Sequence, residues 1–210
     1  MAKKYVFKTI NNLVAHYNQH GYIHQQKELQ QYSLNDLSGL VTGYIPRVLV
    51  NGKIRRVWCC GRINVGGLPL VTPYLAPHPH QWWIKKTPKF KKRVEAALLT
   101  HHILTQKYTS FDDLYDTLRK KKISSGELFI YDLTRRISHC LQLRPSKYVY
   151  LHNGAKDGAE ELNRRGKITL PNGWSVRVDI SVFRKIFPNM DSIDIENVLC
   201  IYKNDFAYIP

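Results

Sequence analysis

Residues 110–143 read SFDDLYDTLRKKKISSGELFIYDLTRRISHCLQL, and the fold turns on how this stretch is parsed. Ser110 is a helix N-cap residue, and Asp112 and Asp113 follow in the first turn, where carboxylates suit the helix dipole. Phe111, Leu114, Tyr115 and Leu118 recur at helical spacing and form one apolar stripe. The helix closes on Arg119-Lys120-Lys121-Lys122. A four-residue turn, Ile123-Ser124-Ser125-Gly126, then leads into a second amphipathic segment whose Phe129, Leu133, Ile137, Cys140 and Leu141 again keep helical spacing. Two helices joined by a tight turn, with lysines at the joint, are therefore the predicted centre of the C-terminal half.

Working outward, residues 89–106 predict another helix with Phe90, Val94, Ala97, Leu98 and Leu104 inward. The opening segment predicts a helix carrying Ile10, Leu13, Val14 and Tyr17, stopping near Gly21. Ser33 is placed to cap a short helix with Leu34, Leu37, Leu40 and Val41. In Arg47–Trp58 the Asn51-Gly52 pair between apolar-rich runs predicts a type I′ hairpin, pairing Leu49 with Ile54, Val50 with Lys53 and Val48 with Arg55. The result is a basic two-stranded ribbon of the kind that enters a groove or lies along phosphates, and equally an ordinary surface hairpin. From Gly61 to Pro88 the Gly and Pro residues are too frequent for any long regular element, so this stretch predicts a connecting loop. Its Trp82 and Trp83 suit either stacking on unpaired bases or a hydrophobic plug, and they offer a docking point for a protein partner. Lys147–Leu151 predicts a strand and Asp157–Asn163 a helix. Ile168–Val178, around Pro171-Asn172-Gly173, predicts a second hairpin. Short helices are expected from Val182, stopped by Pro188, and from Asp191 to Tyr202 with Ile195, Val198, Leu199 and Tyr202 inward. The expectation is an α+β fold: a mainly helical body with two small β-hairpins, divided into a basic part at 1–60, a loop at 61–88 and a helical part at 89–210.

The 210 residues carry 32 Lys and Arg against 16 Asp and Glu, a net charge of +16, with 43% hydrophobic residues. That composition excludes a disordered tail and is large enough to bury a core without disulfides. No run approaches the roughly 18 uninterrupted apolar residues of a membrane helix, and the Met1–Lys8 start lacks the apolar core of a secretory signal. A soluble cytoplasmic protein is expected, nucleoid-associated in a prokaryote, with no membrane partner. The charge is uneven: residues 1–100 hold 15 basic and 3 acidic side chains, and no acidic residue occurs from Leu37 through Val94. A solvated surface mixes signs, and one-sided charge of this size repels itself unless a polyanion neutralises it. Nucleic acid is the commonest intracellular polyanion. The candidate phosphate contacts are Lys53, Arg55, Arg56, Lys85, Lys86, Lys89, Lys91, Lys92, Arg93, Lys120, Lys121, Lys122, Ser124, Ser125, Gly126 and Lys147.

Cys59, Cys60, Cys140 and Cys200 do not form the even framework of a disulfide-stapled domain, and reduced thiols are expected. Cys59-Cys60 followed by His78, His80, His101 and His102 raises a Zn site, but there is no C-x-x-C. His16, His20 and His24 recur every four residues, yet Gly21 is expected to interrupt the helix that would align them. No metal and no cofactor are predicted. The sequence contains no P-loop, Rossmann fingerprint, H-E-x-x-H or G-x-S-x-G. His152 beside Asp157 or Glu160, and Asp132 in the second helix of the pair, are the remaining acid–base candidates. Whether any reaction is catalysed is left open; an enzyme of this composition would act on nucleic acid by base excision or strand cleavage. The other alternative is a basic subunit of a nucleoprotein or defence assembly.

The Ile123-Ser124-Ser125-Gly126 turn between two helices, with Lys120–Lys122 before it, resembles the helix-hairpin-helix module of DNA-binding and DNA-repair proteins. That pattern is hydrophobic-Gly-hydrophobic-Gly; Ile123 and Gly126 match it, while Ser124 and Ser125 depart. The resemblance spans residues 110–143 and implies that backbone N–H groups at the turn meet a phosphate, with DNA rather than RNA as the ligand. It does not carry over the catalytic residues of the base-excision members. The second helix offers Arg135 and Arg136 where those enzymes have a Lys, and the stretch where others have an Asp holds Ser146 and Lys147. The plain alternative is an αα-hairpin that only reverses the chain.

Overall fold

The computed structural model describes residues 7–21, 26, 29–43, 47–50, 53–56, 87–124, 126–143 and 147–210, of which 21, 47–50 and 53–56 are described in backbone only. The chain divides into two compact units that interleave in sequence. One takes Met1–Gln25, Trp58–Gly66 and Pro145–Pro210; the other takes Gln26–Val57 and Gly67–Arg144. The grouping thus differs from a linear split at 1–60, 61–88 and 89–210, because the two ends of the chain share a unit.

In the first unit, α1 (Ile10–His16) starts at Thr9, whose hydroxyl accepts from the Asn12 N–H at 3.1 Å. It continues into a π-helical turn, Tyr17–Gly21. β3 (Tyr148–Tyr150) pairs antiparallel with β4 (Arg177–Asp179), Val149 opposite Val178. Period-two alternation sends these two valines into the core. Between the strands runs α6 (Asn153–Arg164); after them come α7 (Ser181–Arg184), α8 (Ser192–Ile201) and a 3-10 turn, Phe206–Tyr208. α6 places Gly154, Ala155, Gly158, Ala159 and Leu162 on one buried face and lays that face on α8. The glycines set how close the helices come: a Cβ on Gly158 would stand 2.3 Å from the Leu199 carbonyl oxygen. Around this crossing Phe183, Phe187, Ile195, Val198, Tyr202 and Phe206 complete the core. Tyr17 ties α1 to α8, donating its hydroxyl to Asp194 at 2.7 Å and accepting from Asn197 Nδ2 at 3.3 Å.

In the second unit, α2 (Leu37–Thr42) is followed by β1 (Arg47–Val50) and β2 (Lys53–Arg56), then α3 (Pro88–Thr100), α4 (Phe111–Lys120) and α5 (Glu127–Cys140). The β1–β2 register pairs Leu49 with Ile54, Val48 with Arg55 and Val50 with Lys53, as a two-residue connection requires. Asn51 and Gly52 themselves lie outside the described residues. α4 packs on α5, and α2 touches both α3 and α5. Leu40, Val94, Leu98, Leu114, Tyr115, Leu118, Leu133 and Ile137 are buried.

Three expectations are corrected. Asp36, not Ser33, caps α2: its Oδ1 accepts from Gly39 N–H at 2.8 Å, while Ser33 Oγ accepts from Asn35 N–H at 3.2 Å in a local turn. α3 ends at Thr100 instead of running to Gln106, because His102 takes a left-handed φ of 53°. The second hairpin does not form. Trp174 N–H does bond to Pro171 O at 3.3 Å across the expected turn, but β4 pairs with β3 on the far side of α6, and Leu170 N–H is taken by Asn163 Oδ1 at 2.9 Å. The coarse architecture stands: mainly helical α+β with small two-stranded antiparallel sheets.

One device ends four helices. In α3 the N–H of Ile103 reaches Leu98 O and that of His102 reaches Leu99 O; in α4 Ile123 reaches Leu118 O and Lys122 reaches Arg119 O. The same pair of bonds closes α5 at Gln142-Leu143 and α6 at Gly166-Lys167. This is the Schellman motif, whose left-handed residue is usually Gly. Here it is His102, Lys122 and Gln142 in three of the four. No helix among the described residues is long and apolar enough to cross a membrane.

Candidate nucleic-acid interface

The joint between α4 and α5 is built from the inside outward. Ser110 Oγ accepts from Asp113 N–H at 3.2 Å and starts α4. Leu118 and Ile123 are buried, so the turn is pinned by its apolar residue and its lysines stay outside. Lys122 takes a φ of 50° to reverse the chain, and Ser124 Oγ then accepts from Gly126 N–H at 3.2 Å. Gly126 is the N-cap of α5 and supplies no side-chain cap, so the first amides of α5 gain no side-chain acceptor from that position. Glu127 follows at once. Its carboxylate accepts from Tyr115 Oη at 2.5 Å and pairs with Arg119 at 2.8 Å. This bracket fixes α4 against α5 and neutralises the one acidic group beside the turn. It also occupies Arg119.

A ring contact carries the geometry further. Phe90, in the first turn of α3, meets Phe129, in the first turn of α5, edge to face at 5.4 Å and 77°. The N-terminal turns of α3 and α5 are thereby neighbours. Thr87, the N-cap of α3, makes no side-chain cap bond, and Pro88 has no N–H to satisfy. Arg93 lies over the Phe90 ring at 5.3 Å. Lys91 pairs with Glu95 at 3.0 Å, so it is partly compensated. Lys89, Lys92, Arg93, Lys120, Lys121 and Lys122 are all exposed and have no carboxylate partner among the described residues. A lysine offers an anion a point charge, and Arg93 a planar fork.

The units are charged unequally. By sequence the second unit holds 19 Lys and Arg against 8 Asp and Glu, a net of +11 of the whole chain's +16. Of the predicted phosphate contacts, Lys53, Arg55 and Arg56 stand on β2, whose side chains are outside the described residues, as are Lys85, Lys86 and Ser125 entirely. Trp82, Trp83, Cys59, Cys60, His24, His78 and His80 also lie outside them. Lys147 belongs to the first unit, where its Nζ sits 5.4 Å from the Tyr148 ring and Arg177 lies over the same ring at 4.8 Å. The sequence missed two things: the role of Phe90 and Phe129 as a joint, and the use of Arg119 as the counter-charge of Glu127. The i+8 spacing of Arg119 and Glu127 across a turn gives no helical-face signal.

The acid–base candidates are spread out. His152 precedes α6, is buried, and stacks on Tyr150 at 6.3 Å. Asp157 accepts from Lys203 Nζ at 2.7 Å, and Glu160 pairs with Lys156 at 3.8 Å, so both carboxylates are engaged by lysines. Asp132 is buried within α5, in the other unit. Next to α5's end, burial lowers the His139 pKa and raises that of the Cys140 thiol, which is the reverse of nucleophile activation. A groove of about 510 Å³ in the first unit is lined by Asn11, Val14, Asn18, Phe187, Asn189 and Asp194 among others, and neither His152 nor Asp157 reaches it. The chain matches no family model, no curated protein and no solved structure.

Proposed function

We propose that the chain binds nucleic acid, DNA in preference to RNA, by gripping the phosphate backbone with the cations around the α4–α5 turn and the start of α3. The observation that supports the reading is the Phe90–Phe129 contact, which joins the first turn of α3, where one basic run lies, to the first turn of α5, which follows the other. On this reading α4, the turn and α5 act as a degenerate helix-hairpin-helix, with Ile123 as the buried anchor and Lys120–Lys122 supplying attraction. Glu127 is no obstacle, since Arg119 and Tyr115 hold its carboxylate.

The test is anisotropy of labelled duplex DNA, single-stranded DNA and RNA over a salt series. If each lysine meets one phosphate of a duplex, replacing Lys120, Lys121 and Lys122 together by Ala flattens the slope of log K against log salt by about 2.7. Replacing Lys89, Lys92 and Arg93 together does the same. Affinity that ignores salt, or slopes untouched by both triple replacements, would refute phosphate gripping at this joint.

A further inference from the structure

The first unit carries a histidine pair that the interface does not use. His16 closes α1 and His20 lies in the π-helical turn that follows, and their rings stand 4.6 Å apart, centroid to centroid, tilted by 55°. The interruption expected at Gly21 therefore comes too late to separate them. Side chains four residues apart share a helix face, and the helix, regular and then π, keeps the two imidazoles together. A π turn is rare and concentrates at functional sites. His16 is also held in place: its Nδ1 is 2.7 Å from Tyr202 Oη, and Phe7 and Tyr202 meet its ring edge-on at 5.4 and 5.8 Å.

We propose that His16 and His20 form a two-imidazole clip for a first-row divalent transition ion such as Zn2+. With Nδ1 engaged by Tyr202, His16 ligates through Nε2, and Tyr202 plays the outer partner that orients a metal-bound imidazole. No third His, Cys, Asp or Glu gathers with the pair among the described residues. Imidazole donors favour such an ion over Mg2+ or Ca2+, which take oxygen.

The experiment titrates the full chain with Zn2+ and follows the histidine ring nitrogens by NMR, with Mg2+ as the control ion. The expected result is perturbation of His16 Nε2 and a His20 ring nitrogen at the same ion concentration, and none with Mg2+. Replacing half-buried His20 by Ala removes the response at His16, and Tyr202→Phe weakens binding about 10- to 100-fold. Ring nitrogens of His16 and His20 that do not move with Zn2+ overturn the clip, as does a His16 response that survives His20→Ala. The wild-type measurement decides the matter even if a variant folds poorly.

Discussion

Gly158 is where the first unit has least room, and Gly158→Ala is the sharpest test of its packing. The added Cβ would lie 2.3 Å from the Leu199 carbonyl oxygen, 2.9 Å from its carbon and 3.1 Å from its Cα. All three are backbone atoms inside α8, so no rotamer change relieves the clash and the two helices must part by about an ångström. Two effects oppose each other. Ala is the better helix former by about 1 kcal/mol. Overpacking a filled core costs about 1–3 kcal/mol or more, and rigid backbone on the receiving side puts this site at the upper end. Parting α6 from α8 also loosens the contacts of Ala155, Ala159, Val198 and Leu199, all buried here. The net expectation is a loss of about 2 kcal/mol, or about 4–8 °C in Tm for a chain of this size.

Thermal and urea denaturation of the full chain measure it, and Gly154→Ala supplies the internal comparison. There the Cβ meets Cys200 Sγ at 2.9 Å, a side-chain atom that can be removed. Gly154→Ala should be substantially rescued by Cys200→Ala, whereas Gly158→Ala should not be, since its obstacle is the main chain. Gly158→Ala as stable as the parent, or rescued by Cys200→Ala to the same degree, would refute the close crossing.

Three further outcomes follow from local geometry. His102→Gly and Gln142→Gly should each stabilise the chain by about 1 kcal/mol, because the left-handed φ of 53° and 55° is strained for any residue with a Cβ; Gly166→Ala, at +67° with open space around it, should lose a similar amount, all read by chemical denaturation. Asp36→Ala should cost about 1 kcal/mol by losing the cap of α2, and Ser33→Ala much less, measured the same way. Acidification should destabilise in two stages. The His139 pKa is lowered by burial, so the unfolded chain takes up its proton first and stability falls as pH drops below about 6.5; Glu161, held low chiefly by hydrogen bonds from Arg164 and Arg165, and Asp179, held low by the Ser181 N–H, lose their contribution as pH falls below the ordinary carboxylate range. His139→Gln should shrink the upper stage of a Tm–pH profile, leaving the share of His16, whose pKa is also lowered by burial, and should leave the lower stage unchanged.

Most helices were legible because their signals are local. The stripe of Phe111, Leu114, Tyr115 and Leu118 is buried as its spacing required, and Ser110 caps as its chemistry required. The β1–β2 register followed from Asn51-Gly52 alone. What the sequence hid is non-local or chemically ambiguous. β3 and β4 flank α6, and nothing near Tyr148 marks Arg177 as its neighbour, whereas Pro171-Asn172-Gly173 imitates a hairpin turn. The end of α3 was invisible because the usual stop signal is Gly, and a His, a Lys and a Gln serve instead. Ser33 and Asp36 are both good cap residues, and only the hydrogen bond to Gly39 decides between them.

The interface shows the same division. Charge is additive along a chain, so the basic runs could be counted from sequence, but a count treats Arg119 and Lys120 alike. In the fold Arg119 pairs with Glu127 and Lys120 is exposed, so the two cations are compensated to different degrees. The count by halves put the excess in residues 1–100. Grouping by unit moves Lys120–Lys122 into the same body as Lys89–Arg93 and leaves Lys147 in the other. Phe90 and Phe129 each read as ordinary core positions of their own helices, and nothing local to either marks the other as its neighbour. Affinity for a polyanion depends on how many phosphates are met at once, so under the proposed function the salt slope counts the cations that share one face, which the total charge does not give.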